Sequence, residues 1–558
     1  MYHNVLDWLY TAAGAYSDKI AYIDVNEAVT FSEVMKETVN IGTAIKNELC
    51  SNDDAVCVTG SATDVMPIAV VSARSVHTIT AYLSVVFSGH CYAPVDGSLP
   101  DERIISILNV CRPILVICDR EHLDKICHIC NNLGINLVCL DELLRPLSAC
   151  SVSEVEEEGN QALISTRDKS NYSSCGIMSS SDPLYIIFTS GSSGMPKGVI
   201  TGHESLMNYI EAYEAVMGIT SEDTLGNQSP LDYIAAIRDI YLPLLTGCST
   251  FIIPKEYFME PDKLFDCMTE RHVTAVGWSV SAFTVPVALG ALRPEKEDEG
   301  ILSSNESCGS GESEDHHGIV KPEYLRKVCF SGSVMPSRVL RLWQTALPEC
   351  RFVNQYGPTE ATASCTYYPI DHVVSDDEVI PIGRPYKNYR VFLLGEDGGA
   401  VPIGTEGEIC VGGPVLALGY YGDIERTTKD FVQNPLNKSF DERIYKTGDY
   451  GVMREDGILE FHGRKDRQIK HMGHRVELDE IEHAAMKCEG VKECSSQYNA
   501  NKEVLYLFYA GSVTTRNLII NLRVSLPGFM VPRRVRQMEE LPRLANGKID
   551  MKALKEMM

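Results

Sequence analysis

Short apolar runs, each ending near turn residues, recur along this chain: "AVCVTG" (55–60), "ILVIC" (114–118), "LYIIF" (184–188), "TFIIP" (250–254) and "KVCFSG" (327–332). Between them lie stretches of helical spacing, such as Leu206, Tyr209, Ile210, Tyr213, Val216 and Met217, apolar at intervals of three and four. Runs of this length read as strands buried on both faces, and their alternation with helices predicts an α/β fold with mainly parallel sheets flanked by helices. Ligands of such sheets bind beyond the carboxyl ends of the strands.

The chain is 558 residues long, with 44% hydrophobic and 23% charged residues, enough to bury a large core and to form two or more domains. After residue 464 the pattern restarts, with a helix capped near Asp479 in "ELDEIEHAAMKC", a strand "VLYLFYAG", a helix from Thr515 to Ser525 and a closing strand before "ANGKID". This predicts a large domain over 1–464 and a small α+β domain over 465–558. Two polar, acidic or serine-rich stretches, 151–182 and 293–318, are too poor in apolar residues to build a core, and the second reads as a mobile surface insertion.

A formal charge of −26 argues against a nucleic-acid-binding protein, which needs clustered lysine and arginine. Residues 511–558 depart from this balance, with nine Lys/Arg against four Asp/Glu. That basic module is either a solvated helix surface or a docking site for an acidic partner. The 19 cysteines show no regular framework, and the close pair Cys127 and Cys130 lacks a second pair at metal-ligand spacing. No apolar run approaches the roughly 20 residues needed to span a bilayer, and the N-terminus lacks the pattern of a signal peptide. The expectation is a cytoplasmic protein with no membrane insertion.

In "YIIFTSGSSGMPKGVI" (185–200) a glycine- and hydroxyl-rich loop with one lysine leaves the end of a strand. Backbone N–H groups, hydroxyls at Thr189, Ser190, Ser192 and Ser193, and the charge of Lys197 suit a polyphosphate. The spacing does not match GxxxxGK[ST], so two readings stand at this point: an unusual phosphate loop or an ordinary surface turn.

Six segments together decide between them: "YAPVDGSLPDERI" (92–104), the loop itself, "NQYGPTEAT" (354–362), "YKTGDYGVMREDGILEFHGRKDRQIKHMGHRVELDEIE" (445–482), "LPGFMVP" (526–532) and "LPRLANGKID" (541–550). In content and order they resemble the adenylate-forming enzymes, most nearly free-standing peptide-synthetase adenylation domains and D-alanine:carrier protein ligases. The resemblance implies ATP and Mg²⁺ as cofactors. Thr189, Ser190, Gly191, Ser192, Ser193, Gly194 and Lys197 would close over the β- and γ-phosphates, with Gly332 and Gly357 also at the nucleotide. Tyr356 would stack on adenine, Asn354 reach its amino edge, Thr359 contact the α-phosphate and Glu360 hold the metal. Asp449 matches the ribose ligand, and Arg464 would meet ribose or phosphate. Asp466 falls at the hinge of a mobile C-terminal domain, Gly473 at a thiol tunnel, and Lys548 bridges the substrate carboxylate and the α-phosphate.

The implied reaction activates a small amino acid, or a related carboxylic acid, as an acyl-adenylate and transfers it to the phosphopantetheine thiol of a separate carrier protein. A monomer is the expected state. Two alternatives are an acyl-CoA synthetase using free CoA and a non-catalytic nucleotide-binding protein on the same fold. In the amino-acid branch an aspartate binds the substrate ammonium; here the ungapped match gives Ile234, with Asp232 two residues earlier. Arg238, Gly277 and Ser331 fall at other pocket positions, beside Cys329, Gln355, Ala363 and Ser364. Either the backbone shifts so that Asp232 anchors the ammonium, or no ammonium is bound there and Arg238 recognises an anionic or polar acyl tail; Arg238 merely neutralising Asp232 is the third reading, and an amino acid held by Asp232 is the expectation.

Overall fold

A computed structural model describes residues 2–51, 66–144, 178–191, 194–292, 321–500, 502–544 and 548–558. The run 55–60, most of 151–182, the expected insertion 293–318, and Ser192 and Ser193 lie outside the described residues.

Two large sheets carry the fold. The nine-stranded sheet has at its centre the neighbouring strands Arg351–Tyr356, Lys327–Ser331, Ala275–Ser279, Thr224–Asn227, Ser249–Ile252 and Ile20–Ile23, all parallel. Its edges, Thr366–Ile370 with Arg384–Pro385 and Ala28–Thr30, run antiparallel. The seven-stranded sheet has a parallel half, Tyr92–Asp96, Ile68–Ser72, Leu115–Cys118 and Leu137–Cys139, beside Pro183–Thr189. The parallel strands are buried along most of their length because helices such as Val76–Phe87 and Ile237–Thr246 cover them. Trp278, fully buried in its strand, keeps its indole N–H satisfied by the Gly226 carbonyl at 2.7 Å.

The glycine-rich loop departs from a strand-to-helix arrangement. It joins Pro183–Thr189 to the antiparallel strand Lys197–Gly202, with Thr189 opposite Lys197. A third, antiparallel sheet, built on Arg390–Leu394, Glu406–Gly412, Arg443–Met453, Phe431–Gln433 and Leu459–Arg464, has no counterpart in the sequence reading.

Among the described residues, strands after Arg464 pair only with one another. A hairpin, Gln468–His471 with His474–Glu477, precedes the helix Leu478–Met486, and a sheet of Val491–Asn499, Val504–Gly511 and Arg534–Met538 packs on the helix Thr515–Ser525. The helix expected to be capped near Asp479 begins two residues earlier. Glu477 is its N-cap, makes no cap bond, and is held instead by Gln468. Asp479 sits inside the first turn, where its charge suits the helix N-terminus while Oδ1 accepts from Arg467 at 2.7 Å.

Candidate active site

Four neighbouring parallel strands end side by side, and a cavity of about 60 Å³ lies beyond their carboxyl ends. Gln228, Ser279, Ser331 with Gly332, and Gly357 line it, one contribution from each strand end. The hairpin of residues 468–477 forms the facing wall through Lys470, Gly473 and Arg475. Gly473 has φ +82°, and a Cβ there would come within 2.9 Å of the Ser279 Cβ. Gly332, at φ +98°, faces it; a Cβ on Gly332 would lie 4.0 Å from the Gly473 carbonyl oxygen. Both positions favour glycine by conformation, and Gly473 does so by space as well.

Glu360 is fully buried in the short 3-10 turn Thr359–Ala361. Its Oε1 accepts from Lys197 at 3.1 Å, from the Tyr420 hydroxyl at 2.8 Å and from Arg475 Nη1 at 3.0 Å, while Oε2 accepts from the same Arg475 nitrogen at 2.8 Å. Burial opposes the charge on Glu360, but Arg475 and Lys197 overcome it and hold the carboxyl well below the usual range. For Lys197, burial and the Arg475 charge outweigh Glu360 and bring the ammonium down to about 8. A hard cation would suit this carboxylate, yet its oxygens are engaged by cations of the chain itself. Holding Mg²⁺ at Glu360 requires Arg475 to withdraw.

On the other side, the Tyr356 hydroxyl donates to Asp449, whose Oδ1 accepts from Arg464 at 2.6 Å. Arg464 also holds Asp466 through Nε at 2.7 Å, so Asp466 is tied directly to the last residue of the third sheet. Lys470 stands 5.7 Å from the centre of the Tyr356 ring. Asn354 donates to the Pro381 carbonyl at 2.7 Å.

In the loop, Thr189 has a buried hydroxyl with no partner among the described residues, and Ser190 donates to the Arg475 carbonyl at 2.7 Å. Gly194, at φ +78°, packs on His483 so closely that a Cβ would come within 3.1 Å of the His483 Cβ. The partnerless Thr189 hydroxyl, the buried Lys197 and the bare backbone at Gly332 fit a polyphosphate ligand such as that of ATP.

Lys548 does not line the cavity with Thr359. It sits in the turn closed by the bridge between Arg543 and Ile549, and its carbonyl accepts from Leu544 at 2.8 Å.

Asp232 stands apart from Ile234 in the structure. It does not line the cavity; its carboxylate accepts the Asp96 N–H at 3.3 Å, and burial together with the Asp96 charge pushes it up to about 7. The physical reason is local. The chain turns through a bond from Tyr233 N–H to the Pro230 carbonyl at 3.1 Å and enters a 3-10 turn at Ile234. Residues two apart in sequence thereby face different ways. Ile234 and Arg238 do line the cavity, whereas Gly277 lies behind Arg238, accepting its Nη2 at 2.8 Å.

Sequence reasoning missed Lys470, Arg475 and Tyr420. The signal was present in "KHMGHRVE", where two cations flank the glycine already assigned to the site. It also missed Arg103, which pairs with Glu480 at 2.6 Å and ties the helix Asp101–Cys111 to the segment carrying the hairpin.

A family model described as AMP-binding enzyme matches residues 9–421. Tyrocidine synthase 1 of Brevibacillus parabrevis is 26% identical over 98% of this chain, which spans only 44% of that protein's length. The "D-alanine--D-alanyl carrier protein ligase" of Bacillus licheniformis is 28% identical over 97% of this chain and 96% of its own. The adenylation domain AlmE of Vibrio cholerae, solved in complex with glycyl-adenosine-5'-phosphate, shares the fold with a TM-score of 0.78 at 20% identity, covering 100% of this chain and 98% of that one.

Proposed function

Because the chain belongs to the AMP-binding enzyme family, we propose that it activates a small amino acid or related carboxylic acid with ATP and transfers it to the phosphopantetheine thiol of a separate carrier protein. In the first step a carboxylate oxygen attacks the α-phosphorus and pyrophosphate leaves. In the second the thiol sulfur attacks the acyl carbon, the bond to AMP breaks, and the thiol proton passes to solvent.

For the first step, Thr189, Ser190, Gly191 and Lys197 receive the outer phosphates, Tyr356 the adenine, Asp449 and Arg464 the ribose, and Thr359 the α-phosphate. Glu360 would hold Mg²⁺, which would offset charge on the phosphates. Lys548 enters between two anions that repel as they meet, an electrostatic role worth several kcal/mol in related situations. The segment after Arg464 then turns about Asp466, Lys548 leaves and Arg475 takes the Glu360 carboxylate.

The observation that carries this reading is the cavity built jointly by the sheet ends and the hairpin, with Gly473 set against Ser279. A backbone bare of side chains there leaves a narrow passage for a thiol arm. The test is ATP:pyrophosphate exchange over a panel of acids, followed by loading of a carrier protein compared with free CoA. Carrier loading that weakens with salt, and a raised carrier KM on reversing Arg533 and Arg534 to glutamate, supports an acidic carrier docking on residues 511–558. Efficient loading of CoA with no carrier requirement overturns the carrier assignment in favour of an acyl-CoA synthetase.

A further inference from the structure

The acyl end of the cavity holds an imbalance of charge. Arg238 lines it and is otherwise buried, with 1% of its surface exposed. Its guanidinium hydrogen-bonds neutral acceptors, the Ala235 carbonyl at 3.3 Å, the Gly277 carbonyl at 2.8 Å, Gln355 Oε1 at 3.3 Å and Cys329 Sγ at 3.5 Å, and stands 5.5 Å from the centre of the Tyr213 ring. Among the described residues no carboxylate forms an ion pair with it. The neighbouring Asp239 acts on it only through space: it accepts from Asn227 at 2.8 Å, and burial pushes its carboxyl up to about 6 against the opposing charge of Arg238. Asp232 is turned toward Asp96.

A second group shares the imbalance. Gln355, 2% exposed, accepts from Arg238 through its oxygen, and its amide nitrogen is buried with no acceptor among the described residues. Ser364 lines the same cavity beside it and adds a hydroxyl, 3.4 Å from the Gln355 oxygen. No aspartate or glutamate is among the described residues lining the cavity, and the position facing Arg238 across one helical turn is the apolar Ile234. A buried guanidinium is costly unless an anion meets it, and a buried amide N–H needs an acceptor. A carboxylate in the cavity meets the guanidinium, displacing its long contacts to Gln355 and Cys329 with charge-assisted bonds.

We propose that the acid activated here carries a second anionic group, a carboxylate at the end remote from the one that is adenylated, which enters the buried end of the cavity and is recognised by Arg238. The substrate class is a small dicarboxylic acid or an amino acid with an acidic side chain. This rests on the adenylation reading above. With no carboxylate at position 234 or elsewhere on the described lining, an amino group on the substrate has no charged anchor.

The test uses matched acids differing only in that remote group: aspartate with asparagine, glutamate with glutamine, and succinate with succinamate. In ATP:pyrophosphate exchange, the charged member of at least one pair should exceed its amide in kcat/KM by roughly tenfold to hundredfold, since a site built to pair a charge rejects the analogue lacking it. Calorimetric titration with the same compounds should show the same order. Arg238→Met should abolish or invert the preference, and Arg238→Lys should keep its sign. Exchange that is best with an amide or a plain monocarboxylate, and stays so in Arg238→Met, overturns the proposal and leaves adenylation standing. No exchange with any acid, by protein shown to be folded by its melting transition, overturns the adenylation reading and this inference with it.

Discussion

Arg475 reaches across to Glu360 and donates to both of its carboxylate oxygens, at 3.0 and 2.8 Å, although the two residues are 115 positions apart. The pair joins the hairpin to the turn that follows Tyr356, and on the proposed alternation it is made only for the second step. Arg475→Ala should therefore slow thioester formation by about tenfold to hundredfold, the loss expected for charge-assisted hydrogen bonds, and change pyrophosphate exchange by less than about threefold. Separate assays of the two half-reactions check this, and equal damage to both would show that the contact serves another purpose.

Gly473 gives the steric counterpart. A β-branched residue at φ +82° is strained, and its Cβ would press on Ser279 at 2.9 Å. Gly473→Val should reduce transfer from a supplied acyl-adenylate by about two orders of magnitude while exchange is largely retained. Single-turnover transfer measured beside exchange separates these outcomes.

Lys548 should behave in the opposite way. It is not among the residues lining the cavity, and on the proposed reaction it belongs to the first step. Lys548→Ala should cut exchange by orders of magnitude yet leave transfer from a supplied acyl-adenylate much less affected. A variant equally poor at both would defeat the proposed alternation.

Asp232 yields a prediction about stability. Its folded-state pKa is raised to about 7 by burial and by Asp96. A carboxyl raised in this way contributes stability fully present below its unfolded pKa of about 3.9 and lost as pH rises through the folded value. Asp232→Asn should thus gain stability relative to the parent between about pH 5 and about pH 8, as read by denaturant unfolding at each pH. Because its carboxylate faces Asp96, the same variant should retain pyrophosphate exchange; loss of exchange would restore Asp232 to the substrate site.

Legibility in the sequence followed locality. The strand Val504–Gly511 and the helix Thr515–Ser525 coincide with the segments named from their apolar pattern, because each pattern is closed within a dozen residues. The antiparallel sheet of residues 390–464 joins strands near in sequence at its margins but is held together by Glu406–Gly412 pairing with Arg443–Met453 across a long separation, which no local signal announces. In the site, Tyr356, Thr359 and Glu360 were marked by one compact motif, and the structure brings them beside Asp449 and Lys197. Arg475 was hidden because its partner is distant in sequence, and the separation of Asp232 from Ile234 was not legible because it depends on the turn between them.

On the proposed reaction, the bond from Ser190 to the Arg475 carbonyl sets an order of events. The hairpin that brings Gly473 to the cavity also grips the loop proposed for the outer phosphates and takes the carboxylate proposed for the metal. Pyrophosphate and the acceptor thiol thus draw on one set of groups, and on the proposed reaction they exclude each other. The first product departs before the second nucleophile is admitted, so added pyrophosphate competes with the carrier and sends the bound acyl-adenylate back toward ATP.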